Sequence, residues 1–262
     1  MKKPAVLLFL TMTVLVLVSP TFQVEVYVTV TVFTSPDSSY QVVADVVSSV
    51  EKTLFIEMYS VSNRQLIDLV KEAADRGVRV VAILERDHVS SFEDAYTLGA
   101  AYEWWVVGVD VRWAPDKYRF VHSKFLIADN DTVLVMSGNW AKTGVPLDPS
   151  YGNREWGIVV HEYPELARKF LEIFDMDYRD STPYKPGDGK GKLTSYKAST
   201  GSYPHPFSAE TFKLPLSRTR FEAVFSPVNS EEKVVELVGS AEASLYIQQL
   251  DFDLYWDSTL SP

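Results

Sequence analysis

The chain carries the run FVHSKFLIAD at positions 120–129 and, after a short apolar stretch, the run MSGNW at positions 136–140. An Asp-Asn-Asp turn separates two segments rich in apolar residues, and this pattern predicts a β-hairpin. Side chains alternate between the two faces of a strand, so we expect His122 and Lys124 to share one face. This hairpin is the centre of the predicted fold.

Ser137 and Asn139 lie at the end of the second strand and are also two residues apart. An antiparallel pair can therefore bring an imidazole, an ammonium, a hydroxyl and an amide into one patch. This set of groups suits a phosphate ester. A lysine supplies charge, a serine and an asparagine supply hydrogen bonds, and a histidine performs nucleophilic or proton-transfer chemistry.

Strands and helices alternate on both sides of the hairpin. Predicted strands lie at 54–59, 78–84, 109–113, 120–128, 132–137 and 156–161, and predicted helices at 41–52, 64–76, 91–102 and 164–174. Asn63 is the expected N-cap of the second helix, and Gly77 is expected to end it. The alternation predicts an α/β fold in which helices cover a sheet.

Composition bounds the class of protein. The chain has 262 residues with 25 basic and 35 acidic side chains, a net charge of −10, and 46% hydrophobic residues. This content excludes disorder along the whole chain. The acidic balance argues against a protein that coats nucleic acid, although a locally basic cleft stays open. Because cysteine is absent, the chain has no disulfide, zinc thiolate or thiol nucleophile.

The first residues have the pattern of an export signal. Lys2 and Lys3 precede an apolar run from Pro4 to Val18, which is shorter than a full membrane span. We expect residues 1–22 to be a signal peptide or, because no clear cleavage site follows, a membrane anchor. Both alternatives predict a secreted or membrane-anchored, extracytoplasmic protein.

Composition changes after the predicted main domain, which spans residues 23–180. Residues 181–220 are rich in proline, glycine and serine, which predicts a linker. Its lysines offer a basic patch to a nucleic acid, while a solvated linker is the simpler interpretation. These lysines are Lys185, Lys190, Lys192 and Lys197.

Residues 221–262 repeat an earlier part of the chain at an offset of 191 positions. The agreement runs without a gap and predicts an internal duplication. Matching pairs include Ser35 with Ser226, Pro36 with Pro227, Val43 with Val234, Val47 with Val238, Leu54 with Leu245 and Ile56 with Ile247. We therefore expect residues 221–262 to form the truncated start of a second unit.

The spacing His-x-Lys-x4-Asp, followed by Ser-x-Asn, resembles the signature of the phospholipase D superfamily. The matching residues are His122, Lys124, Asp129, Ser137 and Asn139. Met136 departs from the pattern, because the family usually has glycine before the serine, whereas here Gly138 follows it. The resemblance implies a phospholipase D-like α/β fold, a mixed β-sheet flanked by helices, with a partial second repeat of the same unit.

The resemblance also implies a mechanism. In the family, one motif histidine attacks the phosphorus of a phosphodiester and forms a phosphohistidine, and a second protonates the leaving alcohol, without a metal or other cofactor. Carried over, His122 is the nucleophile or the acid, and Lys124, Ser137 and Asn139 bind the phosphate. Asp129 belongs to the catalytic motif, but we expect it to order the turn rather than to touch the substrate.

Glu155, in the run NREWG, is the last catalytic candidate. In the family an acidic residue shortly after the motif often hydrogen-bonds the histidine ring. The alternative for Glu155 is a carboxylate paired with Arg154 at a strand edge. Two further histidines are expected to lie outside the site, His88 on a surface loop and His205 in the linker.

The number of motifs leaves three alternatives, since the family chemistry uses two histidine motifs and this chain has one. We favour the first alternative, that the chain is a fragment of a two-motif enzyme. In the second, a homodimer completes the site. In the third, the chain is a remnant of the family that binds phosphates without turnover. The predicted function is an exported phosphodiesterase that cleaves or transfers phosphodiesters, first of all phospholipids, with membrane association as a further expectation. The alternatives are an exported metal-independent endonuclease and a non-catalytic phosphate-binding protein.

Overall fold

The computed structural model describes residues 25–249 and places the predicted hairpin at the centre of one sheet. The strands are β1 (Tyr27–Ser35), β2 (Thr53–Met58), β3 (Arg79–Leu84), β4 (Asp110–Trp113), β5 (Lys124–Ala128), β6 (Thr132–Met136), β7 (Glu155–His161), β8 (Thr182–Pro183) and β9 (Glu210–Pro215). The helices are α1 (Ser39–Ser49), α2 (Arg64–Asp75), α3 (Ser91–Val106), α4 (Pro164–Asp180) and α5 (Ser230–Gly239), with a 3₁₀ turn at Pro186–Asp188.

The strands of this sheet lie in the order β8-β4-β3-β2-β5-β6-β7-β1-β9. β2, β3 and β4 are parallel to one another, whereas β5, β6 and β7 pair antiparallel with their neighbours. This mixed sheet confirms the predicted fold class. Met58, the last residue of β2, is paired with Lys124, the first of β5. The loops after β2 and β3 therefore meet the segment that precedes β5 at one edge of the sheet.

Helices cover both faces of the sheet. α1, α2 and α3 bury apolar side chains on one face, and α4 buries Phe170 and Phe174 on the other. Each large apolar side chain that is fully buried contributes roughly 1.5–3 kcal/mol. The Asn63 side chain accepts hydrogen bonds from the first amides of α2, which confirms the predicted N-cap. Gly77 follows α2 at a φ of +91°, a conformation that favours glycine.

The structure differs from two of the predictions, the start of one strand and the description of residues 181–220 as a linker. The strand expected over 120–128 begins only at Lys124, so His122 lies in the irregular segment before β5. The segment 181–220 is more than a linker, because β9 within it pairs with β1 along six residues. Pairing with a strand about 180 positions away satisfies the backbone of β9, and local composition carries no signal of it.

The predicted second unit is formed only in part within residues 25–249. α5 begins at Ser230, the position that corresponds to Ser39 at the start of α1. Residues 244–249, which correspond to β2, contain no strand. Residues 250–262 lie outside the described residues, as does the predicted signal at 1–22. Over residues 25–249, none of the helices is both long and apolar enough to cross a membrane.

Candidate active site

Glu85 holds the segment that carries His122 against the end of β3. One carboxylate oxygen accepts the amide of Val121 at 2.8 Å, and the other accepts the amides of Arg86 and Asp87 at 2.8 and 3.0 Å. The side chain is buried, so these charge-assisted hydrogen bonds are shielded from water. Sequence analysis missed Glu85. The available signal was an acidic residue directly after a buried strand.

Tyr59, also missed by sequence analysis, brings His122 and Lys124 together. The ring of His122 packs edge-on against the Tyr59 ring, with centroids 4.4 Å apart. The ammonium of Lys124 lies 5.3 Å from the centroid of the same ring. Lys124 also donates a 2.7 Å hydrogen bond to the carbonyl oxygen of His122. The structure therefore juxtaposes the imidazole and the ammonium even though only Lys124 is on the strand.

Burial sets the charge states of this pair. It lowers the pKa of His122 to about 4, with the charges of Lys124 and His88 acting in the same direction. It also lowers the pKa of Lys124 to about 8, although the charges of Glu155 and Glu93 oppose this effect. At neutral pH the imidazole is thus neutral and a nucleophile, and most of the lysine is charged.

Glu155 contacts a different partner from the one expected. Its carboxylate accepts a 2.6 Å hydrogen bond from the Ser137 hydroxyl, and no hydrogen bond joins it to the His122 ring among the described residues. The strand order explains this partner, because β6 lies between β7 and β5 and Ser137 directly follows β6. Arg154, the alternative partner, pairs with Asp37 instead.

Asn139 is held at the same edge of the sheet by its neighbour Trp140. The carbonyl of Trp140 accepts the amides of Ser62 and Asn63 at 2.8 Å, just beyond the end of β2. The side-chain oxygen of Asn139 is buried and has no partner among residues 25–249. The NH₂ end of the same amide is the donor that a phosphate oxygen requires.

The residues on either side of Ser137 differ from the family pattern, because the large Met136 precedes the serine and the small Gly138 follows it. Met136 is buried, and a Cβ on Gly138 would lie 3.1 Å from the Met136 Cε and 2.9 Å from the Glu155 Cγ. Glycine after the serine therefore leaves room for the methionine before it. The departure from the family pattern is accommodated locally, and the polar groups of the site keep their places.

Asp129 lies at the far end of β5 from Lys124. Its carboxylate accepts the amides of Glu51, Lys52 and Thr53 at 2.7–2.9 Å. Burial favours the neutral acid, but these backbone hydrogen bonds prevail and lower the pKa of Asp129. Asp129 thus ties the hairpin turn to the start of β2, which is the turn-ordering role expected, and its carboxylate is separate from the imidazole–lysine pair.

This fold and this site define a phospholipase D-like domain. Residues 43–178 match the family described as "Cardiolipin synthase, PLD-like domain". The chain belongs to this phospholipase D-like family of phosphodiesterases.

A curated relative is the mitochondrial cardiolipin hydrolase of Chlamydomonas reinhardtii, 31% identical over 133 residues, which are 50% of this chain and 53% of the relative. The chain thus spans about half the length of this relative. The structure of the phospholipase D family member Nuc from Salmonella typhimurium superposes with a TM-score of 0.53 at 24% identity, covering 60% of this chain and 97% of Nuc. NucT from Helicobacter pylori gives 0.48 at 17% identity, covering 59% and 98%.

Proposed function

We propose that this chain provides one half-site of a phosphodiesterase in which His122 is the nucleophile. The observation that carries this proposal is the juxtaposition of a neutral, solvent-accessible imidazole and a buried lysine ammonium on the same tyrosine ring. A neutral imidazole has a lone pair for phosphorus, and an adjacent cation stabilises the charge of the phosphoryl oxygens. A remnant that only bound phosphate would gain nothing from keeping the imidazole neutral.

The reaction proceeds in two displacements. The free ring nitrogen of His122 attacks phosphorus, the bond to the leaving alkoxide breaks, and an acid protonates that alkoxide. Water then attacks the phosphohistidine, losing its proton to the same acid–base group, and the bond from phosphorus to His122 breaks. An alcohol in place of water gives transfer instead of hydrolysis. Lys124 and Asn139 bind the phosphoryl oxygens through both steps, and Ser137 joins them when its hydroxyl turns from Glu155 to the phosphate.

The acid in this scheme is a second histidine from a second unit. The apolar face of α5 supports such a partner. Val234, Leu237 and Val238 are 51%, 70% and 43% exposed, whereas the corresponding residues of α1 are buried in the core. The helix thus presents the apolar side that α1 uses for packing. We propose that the rest of a second unit, or a second copy of the chain, covers this face and completes the site.

Phospholipids are the proposed substrate class. The proposed location is extracytoplasmic, with the protein either secreted or anchored to the membrane. The match to a cardiolipin synthase domain and the 31% identity to a cardiolipin hydrolase favour a lipid phosphodiester. Val89, in the loop after β3, and Phe92, in the first turn of α3, are 82% and 66% exposed, as residues that contact lipid are. The basic and apolar start of the sequence supports export or anchoring.

Capture of the phosphohistidine tests this function. The chain is mixed with cardiolipin vesicles, with plasmid DNA or with bis(p-nitrophenyl) phosphate, quenched in base, and mapped by mass spectrometry. We expect a base-stable adduct on His122 with the small diester, whose p-nitrophenolate leaves without an acid, and with vesicles once a second-unit partner is supplied. Neither adduct should form in His122→Asn. The matched control His205→Asn, an exposed histidine, should keep the adduct.

Other outcomes decide between the alternatives. An adduct formed with DNA and not with vesicles would favour the endonuclease. Binding of inorganic phosphate without any adduct, even when a second-unit partner is supplied, would identify a phosphate-binding protein and overturn the proposal. For the location, deletion of residues 1–22 should retain the protein in the cytoplasm of an expressing bacterium, and unchanged fractionation would contradict export.

A further inference from the structure

His88 is buried beneath the site, contrary to the surface loop expected for it. Its side chain is 0% exposed, and its ring packs against Tyr59 with centroids 4.6 Å apart. The ring of His122 lies against the same tyrosine at 4.4 Å. The tyrosine ring is therefore in contact with two histidines, one inside the fold and one in the proposed site.

Both ring nitrogens of His88 face hydrogen-bond acceptors. Nδ1 lies 2.8 Å from a carboxylate oxygen of Asp94, and Nε2 lies 2.5 Å from the backbone carbonyl oxygen of Tyr59. The hydroxyl of Thr97, which can also accept, is 3.4 Å from Nε2. A neutral imidazole has a single N–H and would leave one of these contacts as a lone pair facing a lone pair. An imidazolium, which carries two N–H groups, would donate in both contacts.

Tyr59 is held by two hydrogen bonds besides its contacts with His88. Its hydroxyl accepts the amide of Val89 at 3.0 Å, and its own amide donates to the carbonyl of Ser123 at 2.9 Å. The Nε2 atom of His88 is hydrogen-bonded to the Tyr59 carbonyl oxygen, and the His88 ring packs against the Tyr59 ring. Because Ser123 lies between His122 and Lys124 in the chain, the position of Tyr59 and the position of the reacting pair are tied together.

We propose that His88 is a positioning residue that pairs with Asp94 as an imidazolium and fixes Tyr59 against His122. The inference rests on the proposed nucleophilic role of His122 and deepens it.

The charges around His88 come from each neighbouring element. Asp94 and Glu93 lie at the start of α3, and Glu85 follows β3. Lys124 is on the far side of the tyrosine. Asp94 makes the direct contact with His88, accepting both its ring nitrogen and its backbone amide at 2.8 Å. The positive charge of His88 contributes to the lowered pKa of His122, after burial and Lys124.

The test is a histidine titration by nuclear magnetic resonance with ¹⁵N-labelled protein, which needs no turnover. We expect His88 to show two protonated ring nitrogens at pH 7, while His122 is neutral. His88→Gln removes the charge and should raise the pKa of His122 by about 0.5. Asp94→Asn should convert His88 to the neutral form. The matched control His205→Gln should leave the pKa of His122 unchanged.

Each result bears on the positioning role separately from the proposed function. A neutral His88 at pH 7 would overturn the inference, and so would an unchanged His122 titration in folded His88→Gln. If that variant does not fold, the ¹⁵N pattern of the unmodified protein and of Asp94→Asn still decides. If His88 and His122 titrate as expected but no phosphohistidine forms on His122, the proposed function is wrong, whereas the positioning of Tyr59 by His88 is retained.

Discussion

The Ser137 hydroxyl donates a 2.6 Å hydrogen bond to the carboxylate of Glu155, and this places a negative charge at the edge of the phosphate site. The charge raises the pKa of Lys124 against the effect of burial, which lowers it. A carboxylate in a site for phosphate is unfavourable for the ligand directly. Here it acts through the lysine, because without it less of the ammonium would exist near neutral pH.

Glu155→Gln keeps an oxygen for Ser137 and removes the charge. The pKa of Lys124, about 8 in the unmodified protein, should fall, so the charged fraction shrinks first near pH 8. We expect the dissociation constant for inorganic phosphate to rise about threefold at pH 8 and to change little at pH 6. Calorimetric titration measures this. Equal weakening at both pH values, or the same effect in the exposed control Glu210→Gln, would contradict the role given to Glu155.

Local pattern was sufficient for the centre of the fold. The apolar runs of β2, β3 and β6 and the cap at Asn63 depend on neighbouring residues, and all four were predicted close to their observed places. Long-range contacts were not predictable in this way. His122 lies outside β5 because Glu85, 36 positions away, takes the amide of Val121. β9 exists because β1 offers it a partner.

The site shows the same division. The motif spacing grouped His122 with Lys124, and the structure places them on one tyrosine. That tyrosine and the buried His88 carry no mark in the sequence, since a tyrosine at a strand end and a histidine in a loop have many ordinary roles. The partner of Glu155 depended on which strand lies between β5 and β7, and a spacing pattern contains no strand order.

Glu57 should make the protein less stable as pH rises. It is buried on β2 near Asp177, and burial followed by that charge raises its pKa to about 8. The folded chain therefore keeps a proton that the unfolded chain loses near pH 4.5. Because the folded state binds more protons, the free energy of unfolding falls between these values by up to about 1.4 kcal/mol per pH unit.

Glu57→Gln tests this linkage. The amide mimics the protonated acid, so the variant should be more stable than the unmodified protein at pH 8 and should show a flatter pH dependence from pH 5 to 8. Urea denaturation at several pH values measures the difference. The exposed control Glu72→Gln should keep the original slope, and a Glu57→Gln curve parallel to the original would show that the carboxyl is charged in the fold.

Asp129→Ala should destabilise the fold without changing the site. Removing the carboxylate leaves the amides of Glu51, Lys52 and Thr53 without their acceptor, and the expected loss is about 2 kcal/mol in the free energy of unfolding. The loss should shrink below pH 4, because the lowered pKa of Asp129 stabilises only where the carboxylate is charged.

The matched control for that variant is in the same turn. Asp131 accepts only the hydroxyl of Thr132 among the side-chain contacts described, so Asp131→Ala should cost much less. Urea denaturation compares the two variants, and the pKa of His122 measured by nuclear magnetic resonance should be the same in both. A pKa of His122 that moves in Asp129→Ala would instead place Asp129 in the site.

Gly138→Ala should be destabilising because the space beside Ser137 is already filled. The new methyl would lie 2.9 Å from the Glu155 Cγ and 3.1 Å from the Met136 Cε, closer than carbon atoms normally approach. One of these side chains must move, at a cost of about 1–3 kcal/mol. Displacement of Glu155 would also weaken phosphate binding near pH 8, as its replacement by glutamine does.

A double variant separates the two contacts. If Met136 is the main obstacle, Met136→Ala combined with Gly138→Ala should recover part of the stability that Gly138→Ala loses, because the shorter side chain vacates the space that the new methyl needs. The control is Gly187→Ala, where nothing lies within 4 Å of the added methyl and the stability should hardly change. Thermal denaturation of the unmodified protein, the two single variants and the double variant measures the coupling. Strictly additive losses would show that Met136 does not limit the space, which leaves Glu155 and the backbone oxygen of Gly144.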